Sequence, residues 1–296
     1  MLATCLRLFL ALEVVLYFTL ALRCFDASPA GAALAAVGGV LLLRALLTAL
    51  TYVWAWACRS PAPRLSVLQA ARMVLAEYAA FVANFVLIFP FEAWWMGRDR
   101  LPPASGRPPL LLIHGYGCSR GAWWWLRRRL EAAGWTVATI NLEPIYTSID
   151  NYVEPLAQRI DAVLAETGAT QLILVGHSMG GLVARAYLQR HGAPRVARLV
   201  TLGTPHAGSR LGSIGMGENA RQMTQGSAWL AALAHEPAPP ETVVIYSPHD
   251  NYVMPQANLQ LPGASHRVLD GLGHLAMLFS PRVADALLAA LEKRDA

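Results

Sequence analysis

The sequence predicts an α/β fold, a mostly parallel sheet covered by helices on both faces, preceded by helices that cross a membrane. Three observations carry this. From residue 110 onward, short apolar runs alternate with amphipathic helical patterns. The charges are unevenly spread, 13 in residues 1–100 against 30 in residues 101–296, and two apolar runs longer than 20 residues open the chain. Strands alternating with helices bury both faces of a parallel sheet. An apolar run of about 20 residues is what the hydrocarbon core of a bilayer demands.

The first run, Leu2–Leu22, is broken by Arg7, Glu13 and a few small polar groups; the second, Ala30–Ala57, contains one charge, Arg44. A cleaved signal peptide is the competing reading of the first run. Glu13 would then sit in its apolar centre, and Arg23 precedes Cys24 where a lipoprotein signal needs a small residue. The expectation is a retained two-helix anchor over residues 1–64. Within Leu65–Phe91 the uncharged part, Tyr78–Phe91, is short for a span. Gln69, Arg72, Glu77, Ala80 and Asn84 form a narrow polar or small stripe. That pattern predicts an amphipathic helix on the membrane or against the catalytic domain, with a third span as the alternative. Met96–Pro109, with two glycines and four prolines, reads as a linker. Arg59, Arg64 and Arg72 follow the second run, against Arg23 and Asp26 between the runs. The positive-inside rule therefore places the remainder in the cytoplasm, at the inner face of a bacterial inner membrane.

The net charge of +5 is scattered, with no basic stripe interleaved with aromatics, which excludes nucleic acid as a partner. Arg127–Arg129 reads as a solvated helix face. Of the four cysteines only Cys118 lies beyond residue 100, so residues 101–296 can form no internal disulfide, and no C-x-x-C pair exists. The reading calls for no cofactor and no metal. Oligomeric state is left open.

In residues 110–296, expected strands are Leu110–His114, Thr136–Ile140, Leu172–Val175, Val196–Leu202, Thr242–Tyr246 and His266–Leu269. Expected helices are Gly121–Ala133, Asn151–Thr167, Met179–Arg190 and Pro281–Leu291. The stretch His206–Pro240 interrupts this rhythm, with Gly and small residues and a helical pattern near Trp229–Ala234. It is the expected cap or lid.

Gly176-His177-Ser178-Met179-Gly180 is a G-x-S-x-G motif lying between an apolar strand and a helix, the context in which it presents an exposed serine on a sharp turn. Glycines two residues either side of Ser178 keep that turn free of side-chain collisions. A serine hydroxyl needs a base to become a nucleophile. Among eight histidines, His274 follows the last strand and precedes the last helix, whereas His191, His206, His235 and His249 come too early and His266 lies inside the strand. Asp250, just after the strand Thr242–Tyr246, is the expected partner of His274, and Asp270 its rival. The N–H groups of Met179 and Tyr116 are the expected oxyanion donors. Tyr116 belongs to His114-Gly115-Tyr116-Gly117, where His114 ties down the loop. Trp123–Trp125 either line an acyl pocket or pack on the sheet.

These segments, with Leu202–Ser209 and Gly271–Leu275, together resemble the α/β-hydrolase superfamily, in particular bacterial triacylglycerol lipases and their esterase relatives, over roughly Leu110–Leu291. The resemblance implies a Ser178–Asp250–His274 triad, an oxyanion hole at Tyr116 and Met179, and ester hydrolysis of acyl lipids; the familiar relatives are secreted, whereas this chain carries spans. Relatives that hold a structural calcium do so with carboxylates near the catalytic histidine, and no such set is evident here. Thioesters or phospholipids share this chemistry. A catalytically silent lipid-binding scaffold is the reading from another class.

Overall fold

A computed structural model describes residues 1–104, 106–234 and 241–292. Residues 235–240 of the expected lid lie outside the described residues. Helix α1 (Leu2–Cys24) and helix α2 (Pro29–Ala57) form an antiparallel hairpin, entered at α2 by Ser28, whose hydroxyl caps Gly31 N–H. Glu13 of α1 and Arg44 of α2 are buried as an ion pair within the hairpin. Charges in an apolar helix pair with each other because nothing else there solvates them. Leu8, Leu12 and Val15 of α1 and Leu34, Val37 and Val53 of α2 are exposed, an apolar exterior unlike that of a helix facing water.

Helix α3 (Val67–Val82) opens with a capping box in which Ser66 and Gln69 satisfy each other's backbone N–H. A π-helical turn (Ala83–Ile88) and a 3-10 turn (Phe89–Phe91) lead into helix α4 (Glu92–Met96). The stretches Leu2–Cys24, Pro29–Ala57 and Val67–Met96 are each long and apolar enough to cross a membrane. The third, however, packs against the part of the chain that follows it. Met73, Glu77, Ala80, Asn84 and Ile88, three or four residues apart, form its buried face, while Val67, Leu68, Leu75 and Leu87 are exposed. The polar and small groups point inward, so the amphipathic pattern is inverted relative to a water-facing helix. Arg72 and Gln69 lie outside the buried face.

Strands β1 (Leu110–Ile113), β2 (Val137–Ile140), β3 (Leu172–His177), β4 (Val196–Leu202), β5 (Thr242–Tyr246) and β6 (Ser265–Val268) make one parallel sheet in the order β2-β1-β3-β4-β5-β6. Alternation with period two sends Leu111, Ile113 and Leu174 into one core and Leu110, Leu112, Ile173 and Val175 into the other. The second core is covered by helices α5 (Trp124–Ala132) and α10 (Pro281–Glu292), and the first by α6 (Val153–Thr167) and α7 (Met179–His191). Two short helices, α8 (Gly217–Gln222) and α9 (Ala228–Ala234), lie within the interrupting segment. The last strand is displaced by one residue from its expected His266–Leu269. It is an exposed edge strand, where burial leaves a weaker pattern to read.

The expected linker is clamped. Asp99 sits in a cluster with Arg120 at 3.2 Å, Arg127 at 2.9 Å and Arg159 at 2.7 Å, and accepts the Thr139 N–H at 2.7 Å. This also corrects the basic triplet: Arg127 is buried in that cluster, while Arg128 and Arg129 lie over the Trp124 and Trp125 rings. Trp123 is fully buried in the core under α5, Trp124 and Trp125 pack partly buried against the same core, and none of the three lines the cavity that holds Ser178.

Candidate active site

The turn from β3 into α7 carries Ser178 at φ 54° and ψ −126°, a left-handed conformation that a residue with a Cβ adopts only when its surroundings impose it. The glycines around it allow the close packing that holds it there. A Cβ on Gly176 would lie 2.5 Å from Gly181 N, and one on Gly180 would overlap the Ile113 carbonyl. A Cβ on Gly115 would lie 2.9 Å from the Ser178 Cβ, so the β1 loop can pass directly over the serine.

That loop is tied down by His114. The Leu142 N–H donates to Nε2 at 3.0 Å, which leaves Nδ1–H to donate to the Gly115 carbonyl at 2.9 Å. Burial pushes His114 down to about 4, so the neutral ring this pattern needs is the form present at neutral pH. His177 Nε2 donates to the His274 carbonyl at 3.2 Å, and burial, reinforced by the neighbouring His274, holds His177 well below its usual range. Both histidines are structural ties.

Asp250 is fully buried in the loop after β5. Its Oδ1 accepts the N–H of Tyr252 and of Val253, each at 2.8 Å, and its Oδ2 lies 2.7 Å from His274 Nδ1. Burial alone would lower His274. The charge of Asp250, its hydrogen bond and the nearby Glu77 outweigh burial and raise the imidazole above its ordinary value of 6.5. The rival, Asp270, is exposed, and its backbone carbonyl accepts from Arg282. His249 is half-buried, donating through Nε2 to the Pro63 carbonyl at 2.9 Å and accepting the Gly271 N–H at 3.1 Å.

Ser178, His274, Tyr116 and His177 line one cavity of about 320 Å3, mostly apolar. Its other walls are Leu211, Ile214 and Met223 from the segment after β4, and Phe81 and Phe85 from the helical stretch before the sheet. The Tyr116 hydroxyl both donates to the Met216 carbonyl and accepts its N–H, each at 2.8 Å, pinning that segment to the β1 loop. Cys118 also faces the cavity, but burial pushes its thiol up to about 12, so it is no rival nucleophile. Met179 opens α7, where the first backbone N–H groups lack intrahelical acceptors.

A strained serine at a strand-to-helix turn, on a parallel sheet, beneath a glycine loop from the first strand, decides the architecture. The chain has the α/β-hydrolase fold. A family model described as α/β hydrolase fold matches residues 108–226 of the chain. Triacylglycerol lipases from Pseudarthrobacter phenanthrenivorans and Burkholderia plantarii are each 36% identical to it over 114 residues, 36% of this chain and 35% and 32% of theirs. The chain thus matches about a third of the length of these curated relatives. The mature lipase BlEst2 of Bacillus licheniformis superposes with a TM-score of 0.57 at 19% identity, over 64% of this chain and 94% of that one. The α/β-hydrolase chain is therefore lipase- and esterase-like in sequence and fold, with long apolar helices added in front.

Three features of the site escaped the sequence. Glu77, Phe81 and Phe85 come from α3 and the π-helical turn after it. Glu77 belongs to the polar or small stripe read in Leu65–Phe91, whereas Phe81 and Phe85 do not, and nothing local tells which surface such a stripe meets.

Proposed function

We propose that the chain is a membrane-anchored serine hydrolase that cleaves carboxylic esters of lipids. The observation carrying this is the 2.7 Å bond between Asp250 and His274, the histidine of which lines an apolar cavity together with Ser178. In the reaction, Ser178 Oγ attacks the acyl carbonyl as His274 Nε2 takes its proton. Asp250 holds Nδ1–H and stabilises the imidazolium. The N–H groups of Tyr116 and Met179 receive the oxyanion. His274 returns its proton to the departing alkoxide, and water then hydrolyses the acyl-enzyme by the same steps. Because neutral His274 is the base, the rate falls as pH drops through its raised value. Leu211, Ile214 and Met223 support the reading of the segment after β4 as a lid, since they wall the cavity.

The full-length protein in liposomes is expected to hydrolyse a graded series of acyl esters and to be labelled by a fluorophosphonate. Absence of both overturns the enzymatic reading in favour of a lipid-binding scaffold, and faster turnover of thioesters or phospholipids would reassign the substrate class.

For the anchor, α1 and α2 cross the bilayer and α3 lies between lipid and catalytic domain. At about 1.5 Å per residue, α1 and α2 exceed a hydrocarbon thickness of about 30 Å. The start of α1 and the end of α2 both reach the catalytic domain: the Met1 ammonium lies 2.9 Å from Glu143, and Ser60 N–H donates to Gln256 at 3.0 Å. The chain just before the third stretch and the end of that stretch sit there too, through Pro63 with His249 and Glu92 with Arg120. With two spans and arginines after the second, the catalytic domain is cytoplasmic. Alkaline phosphatase fused after Ala296 is expected to be inactive; strong phosphatase activity would place the domain outside.

A further inference from the structure

The turn carrying His274 is held by side chains on three successive backbone N–H groups. His274 N–H donates to Asn251 Oδ1 at 3.0 Å, Leu275 N–H to Glu77 Oε1 at 3.0 Å, and Ala276 N–H to Glu77 Oε2 at 2.8 Å. The last two open the 3-10 turn Ala276–Phe279, which has no side-chain cap of its own. The carboxylate of α3 supplies that cap from nearly 200 residues away in sequence. Asn251 in turn donates to Thr51 Oγ1 of α2 at 2.8 Å. The fit leaves no slack, since a Cβ on Gly273 would overlap Glu77 and lie 2.6 Å from the Tyr52 hydroxyl. A carboxyl group that is 1% exposed, on the buried face of a helix whose other charge, Arg72, is exposed, is costly to bury, and two backbone N–H donors offset that cost at this contact.

We propose that Glu77, backed by Thr51, is a positioning residue: the membrane-proximal helices hold the His274 turn in its working place, so the anchor is part of the active site and not only a tether. Phe81, one turn further along α3, walls the cavity from the same side. The proposal rests on the serine-hydrolase reading above.

The test is Glu77→Gln in full-length protein in liposomes, beside wild type and Ser178→Ala. The amide keeps the shape but faces one of the two N–H donors with an NH2 group. A displaced base costs kcat about 10- to 100-fold, and KM should be unchanged. The groups facing His274 are Asp250 and Tyr252 from the loop after β5, His177 from β3, and Glu77 from α3, with the Tyr52 hydroxyl of α2 beside the adjacent Gly273. Burial raises Glu77 to about 7, so it is ionised over only part of the range in which His274 titrates. Where it is ionised its charge raises His274, and its removal should move the acidic limb of kcat/KM to lower pH. Lower kcat with that movement supports positioning. A changed thermal midpoint with wild-type kcat and pH profile would reduce Glu77 to a structural contact and overturn it. If Glu77→Gln does not fold, Thr51→Val carries the test: lower kcat at unchanged KM supports the proposal, and wild-type kcat overturns it. An inactive, unlabelled wild type would instead overturn the hydrolase reading, and the positioning role with it.

Discussion

Replacing Ser178 by alanine should abolish ester hydrolysis and fluorophosphonate labelling while leaving the protein folded. The fold argument is local. Ser178 N–H donates to the Leu202 carbonyl at 2.9 Å and its own carbonyl accepts from Gly181 N–H, and both bonds survive the substitution. Alanine also carries a Cβ of the same size into the same left-handed conformation, so the turn is no more strained than before. The chemical loss is larger than any single contact suggests, because nucleophile, base and acid act as a unit. Removal of the nucleophile alone costs on the order of 10⁶ in kcat in the subtilisin precedent. Cys118 cannot substitute, since its buried thiol stays protonated at neutral pH. The measurement is turnover of an acyl ester by purified Ser178→Ala beside wild type, with thermal midpoints compared. Wild-type turnover in a folded variant would remove the serine from the mechanism.

The sheet was legible in the sequence because burial on both faces writes itself as continuous apolar runs. Leu110–Ile113 and Leu172–Val175 needed no context to be read as strands. The nucleophile turn was legible for a steric reason, as Gly176 and Gly180 stand where a side chain would strike backbone. What stayed hidden depends on contacts distant in sequence. Asp99 looks like one charge in a proline-rich linker, yet it gathers three arginines drawn from two separate stretches of the chain. The stretch Leu65–Phe91 has the composition of a span, and its stripe is visible. Only the fold reveals that Glu77 meets the turn after His274 and that Phe81 and Phe85 face the cavity. Local patterns report a residue's burial well. They do not report its partner.

Asp250→Asn should lower kcat by about 10⁴, the size of the same exchange in the serine-protease triad, whereas Asp270→Asn should leave it near wild type. The geometry gives the reason. Two backbone N–H groups, from Tyr252 and Val253, point at Oδ1 of residue 250. They compel the asparagine to place its oxygen there, which turns its NH2 toward His274 Nδ1. An NH2 group donates, so Nδ1 must accept, and the imidazole proton moves to Nε2. The ring then presents a donor to Ser178 and cannot take the serine proton. Loss of the Asp250 charge acts in the same direction, since that charge is a leading cause of the raised His274 value and of imidazolium stabilisation. At high pH hydroxide can take the serine proton in place of His274, so the variant should regain part of its rate, a recovery that simple misfolding would not produce. Asp270 offers no such route, since its side chain is exposed and lies outside the His274 contact. The check is a kcat–pH profile of both variants with an ester substrate. A large loss at Asp270 together with a small one at Asp250 would transfer the acid role to residue 270.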